Sequence, residues 1–399
     1  MACSSSLLAR TNASCSLSGV RYLFVFVVDS RPQNSRPQSC RLALAPRAKR
    51  LVVTSNASEM SRNASTATTT TPPVPCNFVV SSHSNAPPSP SPTAGIAWLE
   101  SMPRGAYTTA RTTSRGRCVF ELSFHLQRLV DSAGLMHLGR VGGTDHDQEA
   151  LKQRVLDTMR RGVEAYMRHH GGYDGGYDDV PEDDDHEMKI TVLVCEGDAI
   201  NAENSETFTN NESTFNNETK EREAILVHVS PLGPRKAPGP VRVEIRGEPR
   251  ANAAAKDSEW VTARKQLAKP DDVNELVLEA DGALYEGLSS NFFALMDGTL
   301  YTAGDNVLLG SVRESVLRQC EELNVPVVLE PPRLCDAPRW EAAFVSSTSR
   351  MLLPVDELLF VSESGADRRD FGYAHDSLAR RLEAAVKEDI LSSSECIFG

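Results

Sequence analysis

A chain of 399 residues holds enough material for two domains and a well-buried core, so a single minimal module is excluded. Its net charge of -12 and pI near 5.3 provide no basic face to offset phosphates, which argues against nucleic acid as the main partner. Nine cysteines run from Cys3 to Cys396 without a C-x-x-C pair, a set that suits a reducing compartment and neither a disulfide framework nor a zinc site. The longest apolar run, Tyr22 to Val28, is too short to cross a bilayer, so a soluble protein is expected.

From Met1 to about Asn77 the chain is rich in Ser, Thr, Ala and Arg, and Asp29 and Glu59 are its only acids against nine basic residues. That balance predicts an organellar transit peptide, with the chloroplast as the expected destination and the mitochondrion or cytoplasm as alternatives. The runs Thr68 to Pro73 and Pro87 to Pro92 extend the unstructured character, so residues 1–94 are expected to be disordered. Asn-x-Ser/Thr triplets, as at Asn56 and Asn211, are read as chance, there being no secretory signal.

Folded sequence is expected from Gly95. Arg104 to Arg111 alternates like a strand, Arg117 to Leu122 reads as its hairpin partner, and Ser-Arg-Gly supplies the turn. Phe124 to Met136 is an amphipathic helix on which His125 and Arg128 share a face. A second helix runs from about Gln148 to His170, and Lys189 to Cys195 is a buried strand. Two polar insertions, about 171–188 and 197–223, are too poor in apolar residues to order themselves, and the acid run Glu182 to Asp185 is a solvated charge run rather than a metal site. Strands resume at Ala224 to Val229 and Val241 to Ile245. The Pro- and Gly-rich stretch between them is an interdomain connection or a long hairpin. The segment 95–235 is thus expected as a small N-terminal α/β domain and 241–399 as a large C-terminal one.

Lys256 follows a run of small residues and precedes Trp260, a place where burial would lower its pKa and free the amine for nucleophilic work. A helix near Glu259 to Ala268 and a strand Asn274 to Glu279 would return the chain to the same pocket at Glu286. There a strand turns through Gly-Leu-Ser-Ser, and a second strand runs from Phe292 to Met296 into an Asp297-Gly298 hairpin. Apolar residues at Val312, Val316, Leu317 and Cys320 make Gly310-Ser311 a helix start, suited to an anion. The stretch His375 to Ile390 reads as a closing helix.

Five blocks in fixed order carry a resemblance: Ala-Lys-Asp-Ser-Glu-Trp, Glu-Gly-Leu-Ser-Ser-Asn-Phe-Phe, Asp-Gly-Thr-Leu-Tyr-Thr, Leu-Leu-Gly-Ser-Val-Arg-Glu-Ser-Val-Leu, and Ala-Phe-Val-Ser-Ser-Thr-Ser-Arg-Met-Leu-Leu-Pro-Val355. Between about Arg104 and Val361 the chain resembles the class IV aminotransferases, the fold type IV pyridoxal-phosphate enzymes. These include D-amino-acid and branched-chain aminotransferases and aminodeoxychorismate lyase. The resemblance implies a two-domain α/β (α+β) fold, a cofactor, pyridoxal 5'-phosphate, in the cleft, and a homodimer.

It also implies roles. Lys256 falls on the family's Schiff-base lysine. Glu286 falls on the carboxylate that keeps the pyridine nitrogen protonated. Arg128 matches the phosphate-gripping arginine, Ser311 and Val312 the amides that cradle the phosphate, Ser347 and Thr348 the turn that completes the cup, and Tyr107 an aromatic facing substrate. Departures accompany the match. Relatives often carry Ile-Thr where this chain has Ser311-Val312, Val261 stands where branched-chain enzymes place a Tyr, and Lys189 to Cys195 lacks the Tyr-x-Arg and Arg-x-His pairs that hold the substrate carboxylate. The implied reaction is transfer of an amino group between an amino acid and a 2-oxo acid. The alternatives are pyruvate elimination of the aminodeoxychorismate lyase type and a non-catalytic protein that keeps the fold.

Overall fold

The computed structural model describes residues 77–82, 87–138, 144–170, 187–197, 223–236, 238–362 and 365–398. The expected transit peptide and most of the two polar insertions lie outside them.

One sheet has seven strands: β1 (Asn77–Ser81), β2 (Ser89–Ser91), β3 (Gly105–Thr113), β4 (Cys118–Phe120), β5 (Met188–Glu196), β6 (Glu223–Pro231) and, from the far end of the chain, β17 (Ser394–Cys396). Their order is β17-β4-β3-β5-β6-β1-β2. The centre falls to β5, whose Ile-Thr-Val-Leu-Val-Cys run is buried on both faces, as a β-branched run without polar alternation requires. Among the described residues three helices accompany the sheet: α1 (Gly95–Glu100), α2 (Leu122–Leu135) and α3 (Asp145–His169). The last two lay Leu129, Val130, Val155, Met159 and Val163 against Ile190, Val192 and Val227. Helix α3 opens on a capping box in which Thr144 and Asp147 satisfy each other's backbone amides.

The second sheet is assembled from the chain beyond Val241. In order along it lie β12 (Val327–Val328), β11 (Thr299–Tyr301), β10 (Asn291–Met296), β9 (Ala283–Gly287), β8 (Glu275–Ala280), β7 (Arg242–Ile245), β15 (Glu357–Ser362) and β16 (Gly365–Asp370). β13 (Trp340–Ser347) pairs with β10 and with β14 (Met351–Pro354). Helices α5 (Ser311–Glu322) and α6 (Leu378–Ser392) pack on this sheet through Val312, Val316, Leu382, Val386 and Ile390 around Phe293 and Phe344. A short helix, α4 (Glu259–Ala263), follows Lys256 and continues as one 3-10 turn over Arg264–Leu267, so the expected Glu259–Ala268 helix is present but split.

The stretch 232–240 joins β6 of the first sheet to β7 of the second. It therefore connects the two sheets, and the long-hairpin alternative is discarded.

Three expected boundaries are corrected. Residues 77–81 and 89–91 are not unstructured: Phe78 and Val80 are buried, and β1 pairs with β6. The short Phe-Val-Val run lies between β6 and β2, although its Ser- and Pro-rich flanks dominate the local composition. The first insertion ends before Glu187, whose buried carboxylate accepts from the Thr112 hydroxyl (2.5 Å) and the amides of Arg115 and Gly116. The C-terminal unit does not keep its own end, because Ser394–Cys396 adds a strand to the first sheet beside β4.

Candidate active site

Lys256 is fixed through its backbone. Its amide donates to Ser132 Oγ on α2 (3.1 Å), and its carbonyl accepts from the Tyr107 amide on β3 (2.9 Å). The next two residues continue the attachment: Asp257 holds Arg104 at 2.6 Å, and Ser258 exchanges hydrogen bonds with the backbone of Gly105. The segment 256–258 therefore runs like an extra strand along the start of β3 and aims the Lys256 side chain into the cleft. Its Nζ stands 4.7 Å from the centre of the Tyr107 ring. Burial drives the amine well below the ordinary lysine value. Arg128, Arg250 and Arg264 push the same way by repulsion, and Glu286 opposes them.

Glu286 sits at the end of β9, opposite Asn291 across the Gly-Leu-Ser-Ser turn. Its Oε1 accepts from Arg250 Nε (2.7 Å) and its Oε2 from the Leu308 amide (2.9 Å). Asn291 Nδ2 donates to the Leu308 carbonyl (2.7 Å), so the two side chains clip the loop that leads into α5. A carboxylate offers about four lone-pair directions, and two are used here, which leaves acceptor capacity facing the cleft.

Arg128, on α2, donates through Nη2 to Thr108 Oγ1 (2.9 Å) and lies 3.2 Å from His125 Nδ1. Burial lowers its guanidinium to about 10. The His125 ring is pushed well below its ordinary value by burial, then by Arg128 and Lys256, so it stays neutral and Nδ1 can accept from the arginine.

Across the cleft, α5 begins at Gly310 without a side-chain cap. A Cβ on Gly310 would come within 2.5 Å of Asn291 Oδ1, so the close approach needs glycine. Val312 sends its side chain into the core with Phe293 and Phe344, and only its backbone can serve a ligand.

All eight residues singled out from the sequence line this one cleft: Tyr107, Arg128, Lys256, Glu286, Ser311, Val312, Ser347 and Thr348. Four buried donors of residues that line it have no hydrogen-bond partner among the described residues: Arg128 Nε, Ser311 Oγ, Arg313 Nε and Ser346 Oγ. Buried donors without partners are costly, and a bound phosphate offers acceptors to such a set. The donor set, together with the Lys256 amine and the Glu286 carboxylate in the same cleft, fits pyridoxal 5'-phosphate.

Sequence reasoning missed four participants. Arg250 partners Glu286 and also donates to the carbonyls of Ala253 and Ala255, with its guanidinium 5.8 Å from the Trp260 ring centre. It lies six residues before Lys256, close to Glu248 and Arg246, and its local sequence gives no signal of that pairing. Ser346, one residue before the expected pair, carries the unpaired hydroxyl, whereas Ser347 Oγ accepts from the Arg350 amide inside its turn. The other two are Arg264 and Lys189, which line a hollow of about 210 Å³ that adjoins Lys256 and Tyr107. Neither has a carboxylate partner among the described residues; Arg264 donates to the Leu288 carbonyl, and Lys189 is lowered by burial.

Residues 105–358 match the amino-transferase class IV family. Solved structures of the same fold include a branched-chain aminotransferase from Thermoproteus uzoniensis with norvaline, at 16% identity over 81% of this chain and 100% of that one, TM-score 0.56. A fold IV transaminase from Curtobacterium pusillum is 20% identical over 79% of this chain and 99% of its own, TM-score 0.52. A T.th. branched-chain amino acid aminotransferase complexed with N-(5'-phosphopyridoxyl)-L-glutamate is 16% identical over 81% of this chain and 99% of its own, TM-score 0.53. The family match spans well over half of the chain: this protein belongs to the class IV aminotransferases, enzymes whose cofactor is pyridoxal 5'-phosphate.

Proposed function

We propose that the enzyme moves an amino group between an amino acid and a 2-oxo acid, with Lys256 as the amine that carries the cofactor and shuttles the proton. The observation that carries this reading is the position of Lys256 Nζ. It is withdrawn from water, depressed in proton affinity, and shares a cleft with Glu286 and a set of unpaired anion donors. An amine whose proton affinity is lowered in this way is freer to act as a base.

Bound pyridoxal 5'-phosphate supplies an electron sink for the pair left on the substrate Cα. The chain's own residues do the rest. Arg128, Ser311 and Ser346 hold the phosphate end. Glu286, paired with Arg250, would meet the ring nitrogen and favour a proton on it. Lys256 Nζ takes the Cα proton and returns it. Lys189 and Arg264, uncompensated by carboxylates among the described residues, receive the acid groups of the amino donor. Two cations favour a donor with a second carboxylate, and a related fold is known with a phosphopyridoxyl derivative of L-glutamate. That makes an acidic donor the first to try.

The test is an absorbance titration of the cofactor-loaded enzyme. Bleaching of the cofactor band by an amino acid, with release of the matching 2-oxo acid and recovery by a second oxo acid, supports transfer. Pyruvate release from aminodeoxychorismate without such exchange assigns the lyase reaction. No response to either assigns a non-catalytic role.

The same reading includes a homodimer and an organellar address. Leu135 and Leu309, 58% and 47% exposed, line an adjoining hollow where a second copy would cover them. Light scattering of the purified chain tests the dimer, and imaging of a fusion that keeps residues 1–94 tests the address.

A further inference from the structure

Outside the cleft, two cysteines face each other across the strand that returns from the C-terminus. Helix α6 belongs to the second sheet's core, yet the chain leaves it at Ser393 and pairs Ser394, Glu395 and Cys396 with Phe120, Val119 and Cys118 of β4. Cys118 and Cys396 are therefore directly opposite in an antiparallel ladder, and their sulfurs lie 3.1 Å apart. Directly opposed residues in such a ladder have Cα atoms about 4.5–5.5 Å apart, inside the window a disulfide requires. Cys396 is exposed and Cys118 partly so, and both are free thiols.

We propose that Cys118 and Cys396 form a reversible disulfide that locks the C-terminal strand of the protein onto its first sheet. The reaction needs a low-molecular-weight disulfide such as oxidised glutathione. The Cys396 thiolate, the accessible one, attacks it and releases one equivalent of glutathione thiolate. The Cys118 thiolate then attacks the Cys396 sulfur and displaces the second equivalent. Two protein thiols lose two protons and two electrons, and one glutathione disulfide becomes two thiols.

Burial and the neighbouring Cys396 push the Cys118 thiol up to about 11. Ring closure is accordingly slow near neutrality and speeds up as pH rises toward that value, because only the thiolate attacks.

The cross-link would matter because β17 is the segment by which the end of the chain rejoins the first sheet. Glu395 receives hydrogen bonds from the Ser123 amide (2.8 Å) and hydroxyl (2.6 Å) at the first turn of α2, the helix that carries Arg128 and Ser132. Ile397 takes part on both sides, its amide donating to Arg117 O (3.0 Å) and its carbonyl accepting from Arg160 Nε (2.6 Å). Ile397, just beyond the strand, is buried in the first sheet's core, whereas Glu395 and Cys396 are exposed, so the freedom left to the strand lies in those two residues. A covalent bond across 278 sequence positions removes that freedom.

The full-length purified enzyme is incubated with oxidised glutathione at pH 7 and pH 9, then digested without reductant and mapped by mass spectrometry. The expected result is one species linking the Cys118 and Cys396 peptides, forming faster at pH 9, with two glutathiones released per chain and reversal by dithiothreitol. The oxidised protein should melt about 5 °C or more above the reduced form, and C118S and C396S should each abolish the shift while C335S keeps it. A persistent glutathione adduct on Cys396, linkage of either cysteine to a third, or a cross-linked protein with unchanged Tm would overturn the proposal. None of these readouts depends on substrate or cofactor, so the outcome is separate from that of the proposed reaction.

Discussion

The structure contains two buried carboxylates that look alike on paper. Glu286 and Glu275 are both almost fully buried, each on the second sheet, each paired with an arginine at 2.7 Å and 2.8 Å. Their remaining partners separate them. Glu275 Oε2 accepts from Arg350 and from the hydroxyls of Ser289 and Ser290, and its Oε1 from the Leu276 amide, so it is saturated. Glu286 accepts from Arg250 and Leu308 only among the described residues, and it faces the cleft. A saturated buried carboxylate braces a turn, here the Gly287–Ser290 turn that displays Glu286. An undersaturated one retains capacity for a ligand. The two together act as one device in the proposed function: the first holds the backbone still and leaves the second free to meet a ligand.

Lys256 should show the largest effect. K256A is expected to lower turnover by about 10³-fold or more while leaving the melting temperature near that of wild type, since the residue's structural ties are made by its backbone. Steady-state rates with any active donor check this.

The comparison between carboxylates is then broken open by the isosteric pair. E286Q should lower kcat by about 10²-fold with little change in stability, because the developing charge loses its partner at the ring nitrogen. E275Q should lower kcat by less than about threefold but destabilise the fold by about 3 kcal/mol, because it leaves Arg350 unpaired beside two serine hydroxyls. If both variants behaved alike, the division of labour would be wrong.

A pH series sharpens the same point. Burial alone would raise Glu275, but Arg350 and the two hydroxyls outweigh it and leave the carboxyl below its ordinary value. A depressed folded-state pKa gives stability that is present above the ordinary carboxylate value and is lost as pH falls through the folded one. Denaturant melts of wild type should therefore converge on E275Q as the pH is lowered below about 4.5.

R264Q is the smallest expected effect. It should raise KM for a dicarboxylic donor about tenfold and leave an aliphatic donor within about twofold, since one charge-assisted contact is removed. Equal losses for both donors would take Arg264 out of substrate recognition.

Much of this was legible in the sequence, and the reason is periodicity and punctuation. The β9–β10 turn, the Asp297-Gly298 hairpin and the Gly310 helix start each follow from local residue types, and they fix where Glu286 and the anion cup lie. The rest was set by tertiary contact. Arg250 becomes a partner of Glu286 because the chain folds back over 36 positions, and nothing within its own neighbourhood announces that. β17 could not be anticipated from Ser394-Glu-Cys396, whose partner strand lies near the other end of the folded sequence. β1 was hidden by its polar flanks. The substrate side is the least legible, because Lys189 and Arg264 acquire meaning only from which described residues surround them in space.

The most direct test is borohydride reduction of the cofactor-loaded enzyme, followed by peptide mapping, in wild type and E286Q. A pyridoxyl group found on Lys256 in both, with its absorbance altered when Glu286 is replaced, is the result predicted by an amine and an acid meeting one ring. A label on Lys189 or another lysine, or a spectrum indifferent to Glu286, would contradict it.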